Sequence, residues 1–113
     1  LTGLNQKIGN FPGVTVDKRT GICNLDDQTQ AEIIDLPGTY SLYPRTLDER
    51  VVAEIFADKN SDSYPDRVVL VADATNLKNC MLLLTQLIDL RLPTVLALNM
   101  MDLAAQSGQS IDL

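Results

Sequence analysis

The sequence predicts an α/β fold with a mostly parallel sheet and one antiparallel hairpin. Two continuous apolar segments, residues 67–73 and 94–98, have the composition of strands that are buried on both faces of a parallel sheet. A helical pattern lies between them, so the order strand, helix, strand is that of a parallel crossover. Ahead of them, turn residues separate short alternating segments, which is typical of antiparallel pairing. A chain of 113 residues allows one domain with a modest core.

The composition favours an ordinary globular protein and disfavours several kinds of partner. The formal net charge is −6 and no basic run occurs, which argues against a nucleic-acid or anionic-membrane surface. With no histidine and only Cys23 and Cys80, well apart in the chain, a metal site built on thiols and imidazoles is not expected. We interpret the two cysteines as free thiols of a reducing compartment.

Turn residues divide the first third of the chain. Gly9, Pro12 and Gly13 indicate a loop, and Asp26-Asp27-Gln28 indicates a tight turn. The predicted order is a loop at 5–13, a strand at 14–18, a turn at 19–21, a return strand at 22–25, a turn at 26–28 and a strand at 30–36.

Two amphipathic helices are predicted after these strands. Thr46 and Glu49 have the spacing of a capping box, and apolar residues follow at helical intervals as far as Phe56. Asn76 is the predicted N-cap of the second helix. That helix has two adjacent apolar stripes, which we interpret as core packed on a sheet: Leu77, Met81, Leu84 and Ile88 form one, and Cys80, Leu83 and Leu87 the other.

Polar residues at strand ends and in one loop are the candidates for function. Asp35 ends a predicted strand and begins Asp-x-x-Gly, at the sheet edge where ligands of α/β proteins bind. A single carboxylate at such an edge suits Mg²⁺ held by a phosphate, and Gly38 lets a backbone N–H approach that phosphate. Thr15, in the preceding loop, offers a hydroxyl ligand for the same ion.

The Asn99-x-x-Asp102 pair follows the last predicted strand and has the chemistry to recognise guanine. A carboxylate accepts two hydrogen bonds at once, and guanine presents N1–H beside its 2-amino group. Adenine presents neither donor, so a buried Asp102 would be left unpaired against it, a discrimination on the order of a hundredfold.

Each motif also has an ordinary structural explanation. Thr15 is then a strand threonine, Asp35-x-x-Gly38 a strand-to-turn junction, and Asn99-x-x-Asp102 a helix N-cap. The order of the three along the chain favours function, because loop threonine, Asp-x-x-Gly and Asn-x-x-Asp succeed one another in this way in GTPases. The sequence therefore predicts a fragment of a P-loop-type G domain.

Longer strings of residues resemble one GTPase family in particular. The chain is similar throughout to the cytosolic G domain of ferrous iron transport protein B. The strings that carry the resemblance are Gly9-Asn10-Phe11-Pro12-Gly13-Val14-Thr15-Val16, Asp35-Leu36-Pro37-Gly38-Thr39-Tyr40-Ser41-Leu42, Asp73-Ala74-Thr75-Asn76-Leu77 and Ala97-Leu98-Asn99-Met100-Met101-Asp102.

The resemblance implies a GTP-binding, GTP-hydrolysing regulatory domain of a bacterial Fe²⁺ transporter, on the cytoplasmic face of the inner membrane and joined to a transporter domain of the same polypeptide. It implies a first switch at 9–17, a second switch at about 35–50 and a guanine-reading motif at 99–102. GTP or GDP would contact Gly13, Val14, Thr15, Val16, Asp17, Asp35, Leu36, Pro37, Gly38, Asn99, Met100, Met101 and Asp102. Thr15 and Asp35 would hold Mg²⁺, and Thr15, Gly38 and Thr39 would serve hydrolysis, with Thr39 at the position of the water-orienting glutamine of Ras-like proteins.

The chain also departs from the family pattern. The phosphate-binding Gly-x-x-x-x-Gly-Lys-Ser/Thr loop, expected just before Leu1, is not in the sequence, nor is the asparagine that the family uses for K⁺ activation. The guanine-supporting loop is expected beyond Leu113, and the first strand of the sheet is expected to be absent between the strands at 30–36 and 67–73.

We therefore expect nucleotide binding and hydrolysis in the parent protein but not in this fragment, which should self-associate through its unpaired strand edges. The alternatives are a soluble small GTPase of the ribosome-assembly type and a non-catalytic, self-associating fragment.

Overall fold

The computed structural model describes residue 3 and residues 6–112, and the predicted α/β class is confirmed. Five strands and three helices alternate with loops. In chain order they are β1 (Gln6–Asn10), β2 (Asp17–Asn24), β3 (Gln30–Asp35), α1 (Leu47–Ala57), β4 (Val68–Asp73), α2 (Lys78–Asp89), β5 (Thr94–Asn99) and α3 (Met101–Gln106), with a short 3-10 turn at Ala74–Asn76 between β4 and α2.

The first sheet is antiparallel in the order β1-β2-β3. The strand boundaries predicted for its first half were wrong. β2 runs without a break through the predicted turn at 19–21, and β1 lies in the predicted loop at 5–13. Gly21 is buried within β2, where it pairs with Gln6 and Ile33. A glycine next to polar residues indicates a turn locally, but pairing on both sides of β2 keeps this segment extended.

The second sheet consists of β4 and β5, which are parallel as predicted. Their register pairs Val68 with Thr94 and Asp73 with Asn99. The prediction that these strands are buried on both faces was wrong, since Val69, Val71 and Val95 are 63%, 64% and 63% exposed. Within the described residues, the helices therefore cover one face of this sheet and leave the valine face open.

Helix α1 begins as predicted and α2 does not. Thr46 and Glu49 form the capping box, in which the Glu49 N–H donates to Thr46 Oγ1 at 3.3 Å and the Thr46 N–H to Glu49 Oε2 at 3.2 Å. Asn76 is not the N-cap of α2, because it lies in the 3-10 turn and Leu77 precedes the helix without a side-chain cap. Of the two predicted stripes, only that of Cys80, Leu83 and Leu87 is buried.

Two apolar clusters form the core. Cluster A contains Val52, Phe56, Leu83, Leu87 and Leu92 and joins α1 to α2. Cluster B contains Phe11, Val16, Val51 and Ile55 and joins the loop after β1 to α1. Leu36, directly after β3, packs against both clusters.

No polar or charged side chain of the described residues is buried. In the same part of the chain, none of the helices has the length and apolar character needed to cross a bilayer.

Candidate nucleotide site

Thr15 lies on a turn in the loop between β1 and β2, and both ends of this turn are fixed by hydrogen bonds and burial. The Phe11 N–H donates to the Val16 carbonyl at 3.0 Å, and the Val14 N–H donates to the Phe11 carbonyl at 3.3 Å. Gly13 has a φ of 76°, in the left-handed region that favours glycine. Phe11 and Val16 are buried against α1 at either side of the turn, whereas Thr15 is exposed.

Thr15 and Asp35 line the same groove. The groove is open, encloses about 380 Å³, and lies where the loop after β1, the end of β3 and the start of α1 meet. Its lining residues are Thr15, Val16, Asp17, Arg19, Asp35, Leu36, Pro37 and Asp48. Six of these eight are residues that the sequence predicted for the site.

The chemistry of the groove suits a hard cation. Its lining contains Asp17, Asp35 and Asp48 and one arginine, Arg19, although no three acidic side chains of the described residues lie close enough together to hold a metal ion by themselves. A free triphosphate would be repelled by this lining unless a divalent cation lay between them. Hydroxyl and carboxylate oxygens are the ligands Mg²⁺ prefers, and it takes its remaining ligands from water and phosphate. Thr15 and Asp35 therefore fit the predicted role.

Gly38 and Thr39 follow in the loop between β3 and α1. A Cβ on Gly38 would meet nothing within 4 Å, so the packing of the described residues does not require a glycine there. The Thr39 hydroxyl donates to the Ser41 carbonyl at 2.7 Å and accepts the Ser41 N–H at 3.3 Å. Because a hydroxyl has one proton and two lone pairs, Thr39 can accept one further hydrogen bond from a water but has no proton left to donate.

Asn99 and Asp102 lie at the end of the second sheet and do not line this groove. Asn99 Oδ1 accepts the Met100 N–H at 2.9 Å, and Met100 is left-handed with a φ of 60°. This contact fixes the tight bend between β5 and α3. Asp102 stands in the first turn of α3 and is exposed, so its carboxylate faces solvent.

Asp73 is the last residue of β4 and pairs with Asn99 at the carboxyl end of the second sheet. Its Oδ1 accepts the Thr75 hydroxyl at 2.7 Å and the Thr75 N–H at 2.8 Å. These bonds, the hydroxyl first, lower the pKa of Asp73 below its ordinary value. The stability that they add is present above the pKa of the unfolded chain and is lost as the pH falls through the lowered folded-state pKa.

Arg19 and Asp48 line the groove but were not among the predicted nucleotide contacts, although Asp48 lies within the predicted second switch at about 35–50. The register pairs Arg19 with Asp35 across β2 and β3, and Asp48 lies in the first turn of α1. Arg19 was not predicted as a site residue because residues 19–21 were interpreted as a turn.

Comparison with known proteins identifies the family. The family model described as ferrous iron transport protein B matches residues 1–113. A curated relative, the Fe(2+) transporter FeoB of Legionella pneumophila strain Lens, is 43% identical over 99% of this chain. The chain spans only 15% of that relative's length.

Solved structures agree in fold. The cytosolic domain of L. pneumophila FeoB superposes with a TM-score of 0.87 at 45% identity, with 99% of this chain and 43% of that chain covered. The G domain of the Thermotoga maritima FeoB iron transporter has a TM-score of 0.84 at 34% identity, with 99% and 65% covered. The T. maritima cytosolic domain in a GDP form has a TM-score of 0.85 at 35% identity, with 99% and 42% covered. The chain belongs to the ferrous iron transport protein B family, and its fold is that of the family's G domain.

Proposed function

We propose that this chain is part of a GTP-binding and GTP-hydrolysing regulatory domain of a bacterial ferrous iron transporter. The observation that carries the proposal is the convergence of Thr15 and Asp35 on one groove from two separate elements. The names of its relatives support it, because a T. maritima homologue is described in a GDP form and the curated L. pneumophila relative as an Fe(2+) transporter. The family match favours this function over that of a ribosome-assembly GTPase.

The proposed roles follow the strand ends. Residues 9–17 act as the first switch, and residues 35–50 as the second. Thr15 and Asp35 hold Mg²⁺, which supplies charge neutralisation of the phosphates when it is bound. Residues 99–102 read the guanine. The remaining nucleotide contacts are assigned to Gly13, Val14, Val16, Asp17, Leu36, Pro37, Gly38, Met100 and Met101.

Gly38 and Thr39 are the proposed groups nearest the hydrolysed phosphate. A side chain on Gly38 has room within the protein, and a glycine there leaves the backbone open to the close approach of a phosphate. Thr39 has one lone pair free and lacks the reach of a glutamine, so we expect hydrolysis to be slow.

The phosphate-binding loop is not part of this sequence, and K⁺ activation would depend on the asparagine of that loop. We therefore propose that the 113 residues alone bind guanine nucleotide at millimolar concentration or not at all, because backbone N–H groups and a lysine normally provide the charge complementarity to the β-phosphate. In the full-length protein the domain would face the cytoplasm, joined to a membrane transporter domain.

A matched pair of aspartate variants tests the proposal in the full-length protein. Asp35→Asn should raise the Mg²⁺ concentration for half-maximal GTP hydrolysis by about tenfold or more, a loss that supporting contacts alone cause at metal sites. Asp27→Asn, at the exposed hairpin tip, is the control and should leave that concentration unchanged. Equal Mg²⁺ dependence in the two variants would remove Asp35 from the site, and a wild-type protein without GTP hydrolysis would refute the function.

A further inference from the structure

The loop between β3 and α1 is joined to α2 by a side-chain hydrogen bond. The Leu42 N–H donates to Gln86 Oε1 at 2.8 Å across 44 residues of sequence. Within the described part of the chain, the only other side-chain hydrogen bond of comparable sequence separation joins Lys18 Nζ to Ser63 Oγ at a weaker 3.4 Å. Gln86 is half-buried and immediately precedes Leu87, the most deeply buried large side chain of the core.

The other hydrogen bonds of this loop are local. Thr39 bonds with Ser41, and the Tyr43 N–H donates to Ser41 Oγ at 2.9 Å. Contacts between residues two apart fix the shape of the loop but not its place on the domain. That place depends on Leu36 and Leu42, which pack against cluster A, and on Gln86, while the end of the loop is also held to α1 by the Arg45 N–H, which donates to Glu49 Oε2.

The hydrogen bond adds a constraint that apolar packing lacks. A leucine can slide or rotate over an apolar surface with little change in contact, whereas a hydrogen bond weakens steeply when its angle or length departs from the optimum. Gln86 therefore fixes the backbone of Leu42 in register with α2. Gly38 and Thr39 lie four and three residues before Leu42, respectively, so the same contact limits their displacement relative to the groove.

We propose that Gln86 is a positioning residue for GTP hydrolysis, which holds the second-switch loop against α2 through the Leu42 N–H. This inference rests on the proposed function, because it assigns Gln86 to the geometry of that reaction. Gln86 is not itself one of the groove residues.

Variants of the full-length protein distinguish the effect of the Gln86 hydrogen-bond acceptor from the effect of its side-chain volume. Gln86→Leu keeps most of the volume and removes the acceptor, and Gln86→Glu keeps an acceptor oxygen at the same reach. Gln86→Asn keeps an amide but shortens the side chain by one methylene. Gln28→Leu, at the exposed hairpin tip, makes the same chemical change away from the loop and is the matched control.

Single-turnover hydrolysis and nucleotide affinity are the first readouts. We expect Gln86→Leu and Gln86→Asn to slow hydrolysis by roughly tenfold to a hundredfold, the cost of a small misplacement of reacting groups. GDP affinity should stay within about twofold, because only a transition-state geometry is lost. Gln86→Glu and Gln28→Leu should hydrolyse GTP like the wild type.

Amide hydrogen exchange at Leu42 is the second readout and does not depend on hydrolysis. The Leu42 N–H should exchange faster in the leucine and asparagine variants and at the wild-type rate in Gln86→Glu. The Asn variant keeps the inference testable if Gln86→Leu does not fold.

The possible results separate this inference from the proposed function. A wild-type protein that does not hydrolyse GTP refutes the function, while the exchange rates still test the anchor. If the wild type hydrolyses GTP and Gln86→Asn matches it in rate and exchange, Gln86 positions nothing. A parallel loss of rate and GDP affinity, or a failure of Gln86→Glu to retain the rate, would also overturn the inference.

Discussion

Several of the residues proposed to act on nucleotide are exposed at strand ends or turns. Thr15, Asp35 and Asp102 all face solvent, while Asn99 uses its side-chain oxygen on the neighbouring backbone. This exposure suits ligand contact, because a solvated oxygen can exchange water for a phosphate-bound cation or a base edge. It also means that substituting them should alter binding and rate with little effect on folding.

Asp102→Asn should change the base preference of the full-length protein. The amide that replaces the carboxylate cannot accept from both guanine donors, but its N–H₂ complements the 2-oxo group of xanthine. GTP affinity should fall by about a hundredfold and xanthosine triphosphate affinity should rise. Competition binding of the two nucleotides measures this, with Asp66→Asn in the exposed linker as the control. Undiminished GTP affinity would show that Asp102 does not read the base.

Thr15→Ala should affect the GTP-bound state and leave the GDP-bound state unchanged. A switch threonine matters when a γ-phosphate and Mg²⁺ order its loop, so GDP affinity should be preserved and GTP hydrolysis slowed. The buried neighbours Phe11 and Val16 keep the turn in place, so the fold of the variant should be that of the wild type. Single-turnover hydrolysis tests this beside Thr85→Ala on α2, and an unchanged rate would exclude Thr15.

Among the elements, α1 connects the two proposed switches. It starts with the capping box at the end of the second-switch loop, and its Val51 and Ile55 pack on the first-switch residues Phe11 and Val16. The Glu49 carboxylate also accepts the Arg45 N–H at 2.8 Å, so the cap orders the last residues of the loop as well as the first turn of the helix.

Thr46→Ala should loosen the start of α1. Loss of the cap costs about 1 kcal/mol, which corresponds to about fivefold faster amide exchange in the first helical turn. Exchange at Glu49 in the full-length protein is the measurement, and Thr46→Ser, which keeps the hydroxyl, is the control. Equal protection in Thr46→Ala and Thr46→Ser would mean that tertiary packing alone determines where α1 begins.

The elements also show what the sequence could and could not predict. Thr46 and Glu49 are three positions apart in the sequence and their contact is local, so the start of α1 was predictable. The valine face of β4 and β5 was not, because a continuous apolar segment has the same pattern whether one face or both are covered. The Leu42–Gln86 contact was not predictable either, since it depends on packing between distant elements.

At the scale of the whole molecule, the two sheets remain separate. β3 and β4 do not pair with each other, and each has an edge without a strand partner among the described residues. The valine face lies beside one of these edges. Unpaired edges next to exposed apolar residues recruit further strands, which supports the proposal that the isolated chain self-associates.

Light scattering after size exclusion should therefore detect species larger than a monomer of the 113-residue chain, and a fluorescent GDP titration should detect no micromolar binding. Val71→Lys should shift the distribution towards monomer, because a charge on that face disfavours its burial. Ile22→Lys, at an exposed position of the central strand β2 in the other sheet, is the matched control and should not. A monomer with micromolar GDP affinity would contradict both expectations.

Leu36 connects the proposed cation site at Asp35 to the apolar core. It directly follows Asp35 and is packed against clusters A and B, which contain residues of α2 and of the loop after β1 respectively. Close-packed interiors transmit displacement because they have little free volume to absorb it. If a cation binds Asp35 as proposed, a displacement of Asp35 would be passed through Leu36 to both clusters, and thus to α2 and to the loop after β1.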